Sequence, residues 1–203
     1  MTMGYQHLLI FGAVAVAAWL LMMYLWPRLM LSAYKRAILV KGLGEGPIPV
    51  NTLAVQSQAL FKDPQSLPPS ASKLATTGTS PDLLYLMGWL DLRKAANNNA
   101  PDGAIVLHVP DMSGRYYSLQ FTDPSKNVNF AYVGARTTGT KAGDYLITGP
   151  TWKGTVPQGM ARIASPVSQI MLVGRVFVAN EADLPKAYEA GKGIRVEGLD
   201  VKN

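Results

Sequence analysis

The sequence predicts a mainly β protein, a jelly-roll-like antiparallel β-sandwich preceded by one N-terminal transmembrane helix. Two observations favour this class. Residues Leu8 to Trp26 form an uninterrupted uncharged, apolar run, which as a helix would span roughly 28 Å, close to the hydrocarbon thickness of a bilayer. From Asp82 onward, short β-type runs alternate with turns roughly every 8 to 15 residues, as in sandwiches and barrels.

The apolar run is interpreted as a retained membrane anchor. It is longer than a typical signal-peptide core, and no small-x-small cleavage site stands at its end. It closes with Tyr24, Trp26 and Arg28, and aromatic residues followed by a cation are typical of the membrane–water interface. The alternatives are a cleaved signal peptide and a buried core helix.

Small residues within the anchor leave room for close packing by another transmembrane helix. An ordinary lipid-facing anchor is the alternative. The residues expected to anchor the chain or to dock a helix are Gly12, Ala15, Ala18, Trp19, Trp26 and Arg28.

Charge and cysteine content limit the classes of partner and cofactor. The 203 residues carry 19 Lys plus Arg against 13 acids, a net charge of +6. Four of the cations, Arg28, Lys35, Arg36 and Lys41, follow the anchor, so the basic balance favours anionic lipid headgroups over nucleic acid. There is no cysteine, which excludes disulfides, thiolate zinc sites, iron–sulfur clusters and a cysteine nucleophile.

Three segments follow from the pattern: an anchor with its basic exit at residues 1–41, a Pro-, Gly- and Ser-rich connection at 42–81, and a β-sandwich at 82–203 with one short late helix. Leu29–Val40 is expected to continue the anchor helix, and Asn51–Phe61 is compatible with either strand or helix. Asn180 is expected to cap a helix over Glu181–Ala190, and the tail from Lys192 is strand-like. The predicted strands are Leu83–Leu92, Ala104–Val109, Tyr116–Thr122, Asn129–Gly134, Asp144–Thr148, Met160–Ala164 and Gln169–Val178.

A dense set of motifs lies in the segment from Val109 to Pro157, with a further one at its C-terminal side. The motifs are VPD-M-x-x-RYY, FAY-x-G-x-RTTGT, AGDYLI-x-GP-x-WKG-x-xP and a later GR-x-F-V. They resemble the bacterial family called domain of unknown function 1254, which is often paired with domain of unknown function 1214. The resemblance spans Asp82 to about Lys192. It implies a jelly-roll β-sandwich in the cell envelope, and it implies no reaction.

Two features of the sequence favour opposite membrane orientations. Because the cations lie after the anchor, the positive-inside rule favours a cytoplasmic C-terminal domain. The family resemblance implies an envelope-facing domain. We expect a single-pass protein of the bacterial inner membrane with a periplasmic soluble domain.

Candidate ligand-binding residues cluster in the motifs. The loop from Arg136 to Asp144 is polar and glycine-containing, so its backbone N–H groups and cations could hold an anion. The alternative is a long hairpin loop whose Thr and Asp side chains bond their own backbone. Asp111 and Arg115 could pair across a tight turn, most simply to maintain the fold. The full set expected near a ligand is Asp82, Tyr85, Arg115, Arg136, Thr138, Lys141 and Asp144.

Catalytic, metal and cofactor sites are not predicted. His7 and His108 are isolated in the sequence, without HxH or HExxH partners, and no G-x-S-x-G elbow occurs. Five aromatic residues could line a sugar or ligand groove, although aromatic residues in a sandwich more often form its core. They are Trp152, Tyr145, Tyr116, Tyr117 and Trp89.

The sequence therefore favours a non-catalytic accessory subunit. In this interpretation the helix and the sandwich dock onto a larger membrane protein complex, for example an energy-converting assembly. The expected partners are the lipid bilayer and other transmembrane subunits, without nucleic acid. The alternatives are an envelope protein that binds a small ligand or glycan and, third, a hydrolase.

Overall fold

The computed structural model describes residues 4–43, 46–62, 80–95 and 103–199. The chain forms two compact units, Met1–Arg36 and Ala37–Asn203. Nearly half of the predicted connection at 42–81, much of the polar turn at 94–103 and the last four residues lie outside the described residues.

A single helix, α1, runs from Tyr5 to Lys41 and contains Pro27. It confirms the expectation that Leu29–Val40 continues the anchor helix. The helix is long and apolar enough to cross a membrane, and none of its most apolar stretch is buried. A core helix of a soluble domain would be mostly buried, so that alternative does not describe α1.

The second unit contains nine strands and two further α-helices within the described residues. The strands are β1 Leu53–Val55, β2 Leu83–Asp91, β3 Ala104–Val109, β4 Tyr117–Asp123, β5 Val128–Gly134, β6 Gly143–Thr148, β7 Ala161–Ala164, β8 Gln169–Phe177 and β9 Arg195–Gly198. The helices are α2 Gln58–Lys62 and α3 Leu184–Gly193, with 3₁₀ turns at Leu92–Ala95 and Glu181–Asp183.

Two sheets are formed. The larger has the order β1-β2-β8-β4-β5, and the smaller has the order β7-β6-β3-β9. All pairs are antiparallel except β6 and β7, which are parallel, so the expectation of a purely antiparallel sandwich is wrong at this pair. The reason is the connection over residues 149–160, which returns the chain to the starting end of β6 before β7 begins.

One core joins the two sheets, because alternate residues of each strand point to it. Leu86, Leu119 and Leu172 of the larger sheet and Leu107 and Ile147 of the smaller sheet belong to the same cluster, each fully or almost fully buried. The two sheets therefore pack face to face, with their remaining faces directed outward.

The predicted strands agree with the observed ones to within about two residues, since the period-two burial pattern is present in the sequence. Asn51–Phe61, for which strand and helix both stayed open, contains one of each, β1 and α2. Asn180 does act as a cap, but for the 3₁₀ turn, because its side-chain oxygen accepts a bond from the Asp183 N–H at 3.1 Å.

Candidate functional site

The residues predicted to lie near a ligand are distributed over three places in the second unit. Asp82 and Tyr85 lie at the start of β2, and Arg115 lies before β4. Arg136, Thr138 and Lys141 lie in the connection from β5 to β6, and Asp144 lies on β6. Because β5 belongs to the larger sheet and β6 to the smaller one, this connection crosses between sheets and is not a hairpin.

Arg115 forms a paired hydrogen bond with Asp183. Its two terminal nitrogens donate to the two carboxylate oxygens at 2.7 and 2.6 Å, and one of them also donates to the Phe177 carbonyl at 2.6 Å. The Arg115 side chain lowers the pKa of Asp183 to about 2, with help from the Ala179 N–H. Such a two-pronged pair fixes two elements relative to each other, so Arg115 has a structural task.

The spacing of Asp111 and Arg115 allows a pair across the turn, but the structure gives each residue another partner. The Asp111 carboxylate accepts bonds from the backbone N–H and the hydroxyl of Ser113, at 2.9 and 2.6 Å. The Ser113 hydroxyl and N–H lower the pKa of Asp111. The local Asp-x-Ser turn outcompetes the cation four residues away because it needs no ordering of a long side chain.

The connection from Arg136 to Asp144 uses its backbone groups internally. The N–H groups of Thr137, Thr138 and Gly139 all donate to the Gly134 carbonyl at 2.9 to 3.1 Å. The Thr138 hydroxyl bonds the Gly134 N–H at 3.1 Å. These amides are therefore directed at the chain and not at an anion, whereas the Arg136 and Lys141 side chains remain exposed.

A carboxylate–imidazole pair lies on the outward face of the smaller sheet. His108 on β3 faces Asp144 on β6 and Arg195 on β9 in the strand register. The His108 Nδ1 is 2.5 Å from an Asp144 oxygen, and both side chains are about one-third exposed. Arg195 is paired with Glu197 at 2.7 Å. His108 has no partner nearby in the sequence, and only the pairing of β3 with β6 brings it to Asp144, 36 residues away.

The Trp-Lys-Gly motif lies beside the same sheet. The Arg162 guanidinium on β7 sits 5.0 Å from the centre of the Trp152 ring, and its Nε donates to the Thr148 hydroxyl at 3.0 Å. Trp152 is thus held by a cation–π contact of the kind worth about 0.5–1 kcal/mol at exposed sites.

A cleft with aromatic walls lies on the outward face of the larger sheet. It measures about 190 Å³ and is lined by Tyr116, Tyr117, Ser118, Tyr132, Gly134, Arg136 and Thr137. The Arg136 guanidinium lies 5.5 Å from the centre of the Tyr116 ring. Tyr117 is fully buried below, its hydroxyl donates to the Gly139 carbonyl at 3.0 Å, and burial raises its pKa.

Polar side chains continue from this cleft along the same face. Asn129 donates to the Tyr132 hydroxyl at 2.9 Å, and its amide oxygen accepts from Gln120 at 3.0 Å and from Thr122 at 2.8 Å. The network fixes the position of the Tyr132 ring, which is 45% exposed. A preset polar and aromatic surface is what small-molecule sites commonly provide.

Asp82 and Tyr85 lie away from this cleft. The Tyr85 hydroxyl accepts the Ser80 N–H at 3.0 Å, and a shallow cleft of about 260 Å³ beside it is lined by Gln56, Phe61, Lys62, Ser80, Pro81, Leu83 and Tyr85. Asp82 is exposed, and its carbonyl accepts the Val178 N–H at 2.9 Å. Within the described residues, no three His, Asp or Glu side chains gather where they could hold a metal ion.

The sequence profile of the family described as "Protein of unknown function (DUF1254)" matches residues 61–198. The match covers about two thirds of the chain. The chain belongs to this family.

One solved structure has a similar fold. The crystal structure of the VPA0106 protein from Vibrio parahaemolyticus is similar with a TM-score of 0.59 and 25% identity, over 87% of this chain and 37% of that chain. The chain thus spans little more than a third of that protein. An uncharacterized protein from Burkholderia cenocepacia matches with a TM-score of 0.38 and 16% identity, over 64% of this chain and 31% of that one. No curated protein matches the sequence.

The DUF1254 match contains all three places described above and leaves out α1 and β1. In the first unit, the docking residues expected from sequence all lie on α1. Trp19 and Trp26 line one apolar groove of about 260 Å³ with Met22, Met23 and Pro27. Arg28 donates to the Tyr24 carbonyl at 2.8 Å and stacks on the Tyr24 ring.

Proposed function

We propose that this DUF1254 protein is a non-catalytic, single-pass membrane-anchored accessory subunit that docks onto a larger membrane protein complex. The observation that carries the proposal is the apolar surface of α1. None of its most apolar stretch is buried, and large side chains such as Phe11 and Trp19 are 64% and 60% exposed. Each such side chain gains about 1.5–3 kcal/mol on leaving water, so lipid or partner helices must cover this surface.

The length of α1 supports a tether that extends beyond the bilayer. Its 37 residues correspond to roughly 55 Å of helix, whereas the hydrocarbon core is about 30 Å thick. Some 17 residues therefore remain outside the hydrocarbon, and these include Lys35, Arg36 and Lys41. The attraction of each such cation to anionic lipid headgroups contributes about 1 kcal/mol to membrane binding.

One side of α1 suits a neighbouring helix. At about 100° per residue, Gly12, Ala15 and Trp19 fall on one side, in line with the groove beside Trp26. Small residues permit close backbone approach, and the tryptophan groove next to them can receive a bulky side chain. Ala17 falls on the opposite side of the helix.

We place the second unit on the periplasmic side of a bacterial inner membrane. Under the positive-inside rule, the cations after the anchor favour a cytoplasmic second unit. However, the rule applies to short loops of up to about 60 residues, and long domains translocate largely regardless of it. A reporter fused after Asn203 tests the placement: alkaline phosphatase should be active and a cytoplasmic fluorescent reporter dark, and the opposite pattern contradicts the placement.

The docking proposal is tested by purification in a mild detergent. We expect the full chain to co-purify with a partner in fixed stoichiometry. Ala15→Leu should abolish that association, because it fills the close-packing side, whereas Ala17→Leu should retain it. The two variants add the same side chain to the same kind of residue, so membrane insertion is equally affected. Recovery of a monomer, or equal association of both variants, would contradict the proposal.

A further inference from the structure

The geometry points to a binding site for one carboxylated sugar unit on the outward face of the larger sheet, in the cleft between Tyr116, Tyr132 and Arg136. This inference goes beyond the proposed docking function, since it concerns the second unit and a small ligand. We call this place the tyrosine cleft.

The strand register of β4 and β5 shows which residues form the floor of the cleft. On β4 the inward residues Tyr117 and Leu119 are fully buried, so Ser118 between them points outward, as does Tyr116. Ser118 faces Gly134 on β5. A Cβ at Gly134 would lie 2.6 Å from the Tyr117 carbonyl oxygen and 2.9 Å from the Ser118 Cα, so only glycine permits this close approach. The missing side chain leaves the floor open.

Two aromatic rings form the walls. Tyr116 is half-buried beneath the Arg136 guanidinium, and Tyr132 is held from behind by Asn129. The exposed Tyr132 ring suits the apolar face of a sugar, the Tyr116 ring supports the Arg136 guanidinium, and the hydroxyls of Ser118 and Thr137 suit the alcohol groups of the sugar. The volume of about 190 Å³ lies below the roughly 300 Å³ at which drug-sized pockets begin, so the cleft fits a single ring.

One arginine lines the cleft, and a second lies on the neighbouring strand. Arg175 on β8 is the register partner of Ser118, so it lies next to the cleft floor on the side opposite Gly134, at a cross-strand spacing of about 5 Å between Cβ atoms. Arg136 reaches the cleft from the turn after β5. Among the described residues, neither guanidinium has an ion pair with a carboxylate, whereas Arg115 and Arg195 do.

A guanidinium without a carboxylate partner binds carboxylates in a planar, two-pronged geometry. The ligand that combines this charge with a stacking face and hydroxyl groups is a uronic acid unit, free or within a glycan. A neutral sugar would leave the arginines unused, and a simple carboxylate would leave the rings unused.

The test is saturation-transfer NMR on the full chain in a detergent without a sugar headgroup, with sodium D-glucuronate as the probe. Glucuronate should bind saturably, and D-glucose and sodium acetate should each bind at least tenfold more weakly. The double variant Arg136→Gln, Arg175→Gln should weaken glucuronate binding at least tenfold, whereas Arg162→Gln on the smaller sheet should leave it unchanged. Equal binding of glucose or acetate would overturn the assigned ligand class.

A second pair of variants tests the aromatic wall separately from charge. Tyr132→Ala should weaken glucuronate binding at least fivefold, and Val128→Ala, an exposed position on the same strand, should not. Each variant is compared with the wild type in its melting temperature, so that unfolding is distinguished from loss of the site. Undetectable glucuronate binding by the wild type, or unchanged binding in the charge and ring variants, would overturn the inference. Neither result would affect the docking proposal.

Discussion

The ion pair between Arg115 and Asp183 gives a quantitative test of how the second unit is held together. Two charge-assisted bonds connect the start of β4 to the turn that precedes α3, and both side chains are only 18% exposed. The Arg115 guanidinium, together with the Ala179 N–H, lowers the pKa of Asp183 from 3.8 to about 2. At about 1.4 kcal/mol per pKa unit, this shift corresponds to at most about 2.5 kcal/mol of stability at neutral pH. Solvent screening at the protein surface reduces this contribution to roughly 2 kcal/mol.

The perturbation is Asp183→Asn, and the matched control is Glu181→Gln in the same turn. Glu181 is 81% exposed and lies 3.8 Å from Lys62, which is 55% exposed, so its pair contributes little. We expect Asp183→Asn to lower the free energy of unfolding by about 2 kcal/mol at pH 7, because it also leaves Arg115 without a counter-charge. Glu181→Gln should change it by less than about 0.5 kcal/mol.

The direction of the pKa shift determines how the stability difference between wild type and Asp183→Asn changes with pH. Because the folded pKa of Asp183 lies below its unfolded value, the ion pair contributes fully above about pH 4, and its contribution is lost as the pH falls towards 2. The difference between wild type and Asp183→Asn should therefore shrink over this window. Other carboxylates with lowered pKa, such as Asp91 and Asp123, titrate equally in both proteins and cancel from the difference.

The assay is urea unfolding of the full chain in mild detergent, followed by the near-ultraviolet signal of the buried Trp89, which is 1% exposed. Two results would refute the reasoning. One is a loss in Asp183→Asn no larger than in Glu181→Gln. The other is a difference from wild type that stays constant between pH 7 and pH 2.

Three further predictions concern the sheets, and the same unfolding assay measures each. Gly174→Ala should cost about 1–3 kcal/mol, because its Cβ would lie 2.8 Å from side-chain atoms of two core leucines; Gly198→Ala, which enters open space, should be within about 0.5 kcal/mol of wild type. Phe121→Ala should cost about 3–5 kcal/mol, since the ring is fully buried, and a cost below 1 kcal/mol would contradict the assigned core. Asp144→Asn should cost less than about 1 kcal/mol, because the pair with His108 is partly exposed; a larger loss would show that the pair has a structural role.

The strands could be predicted from sequence because their signal is local. In β8, buried Ile170, Leu172 and Val176 alternate with more exposed neighbours, and turn residues bound the run. The parallel pairing of β6 with β7 could not be predicted in this way. It depends on where the connection over 149–160 returns the chain, and no periodicity within either strand records that.

The polar contacts show the same division between local and distant partners. The Asp-x-Ser turns at Asp111 and Asp123 each place a carboxylate on the serine two residues later, and this short signal was available in the sequence. The partner of Arg115 lies 68 residues away, so sequence spacing favoured the nearer carboxylate. Contacts of this kind require the strand register.

The tyrosine cleft combines both kinds of information. Arg136 was singled out from its motif, as was Tyr116 for its ring, but Tyr132 was not. Its role depends on the pairing of β4 with β5, which also brings Gly134 against Ser118. A glycine within an otherwise regular strand signals a close backbone approach, and that signal at Gly134 could have located the cleft floor.

The most direct test of the membrane tether is the fate of the N-terminus in cells. Membranes are washed with high salt and then with alkaline carbonate, and the protein in each fraction is identified by intact mass. We predict that the full chain, still beginning with its N-terminal helix, stays in the carbonate pellet and is released only by detergent. A polypeptide that begins beyond residue 27, or a full chain released by salt, would contradict it.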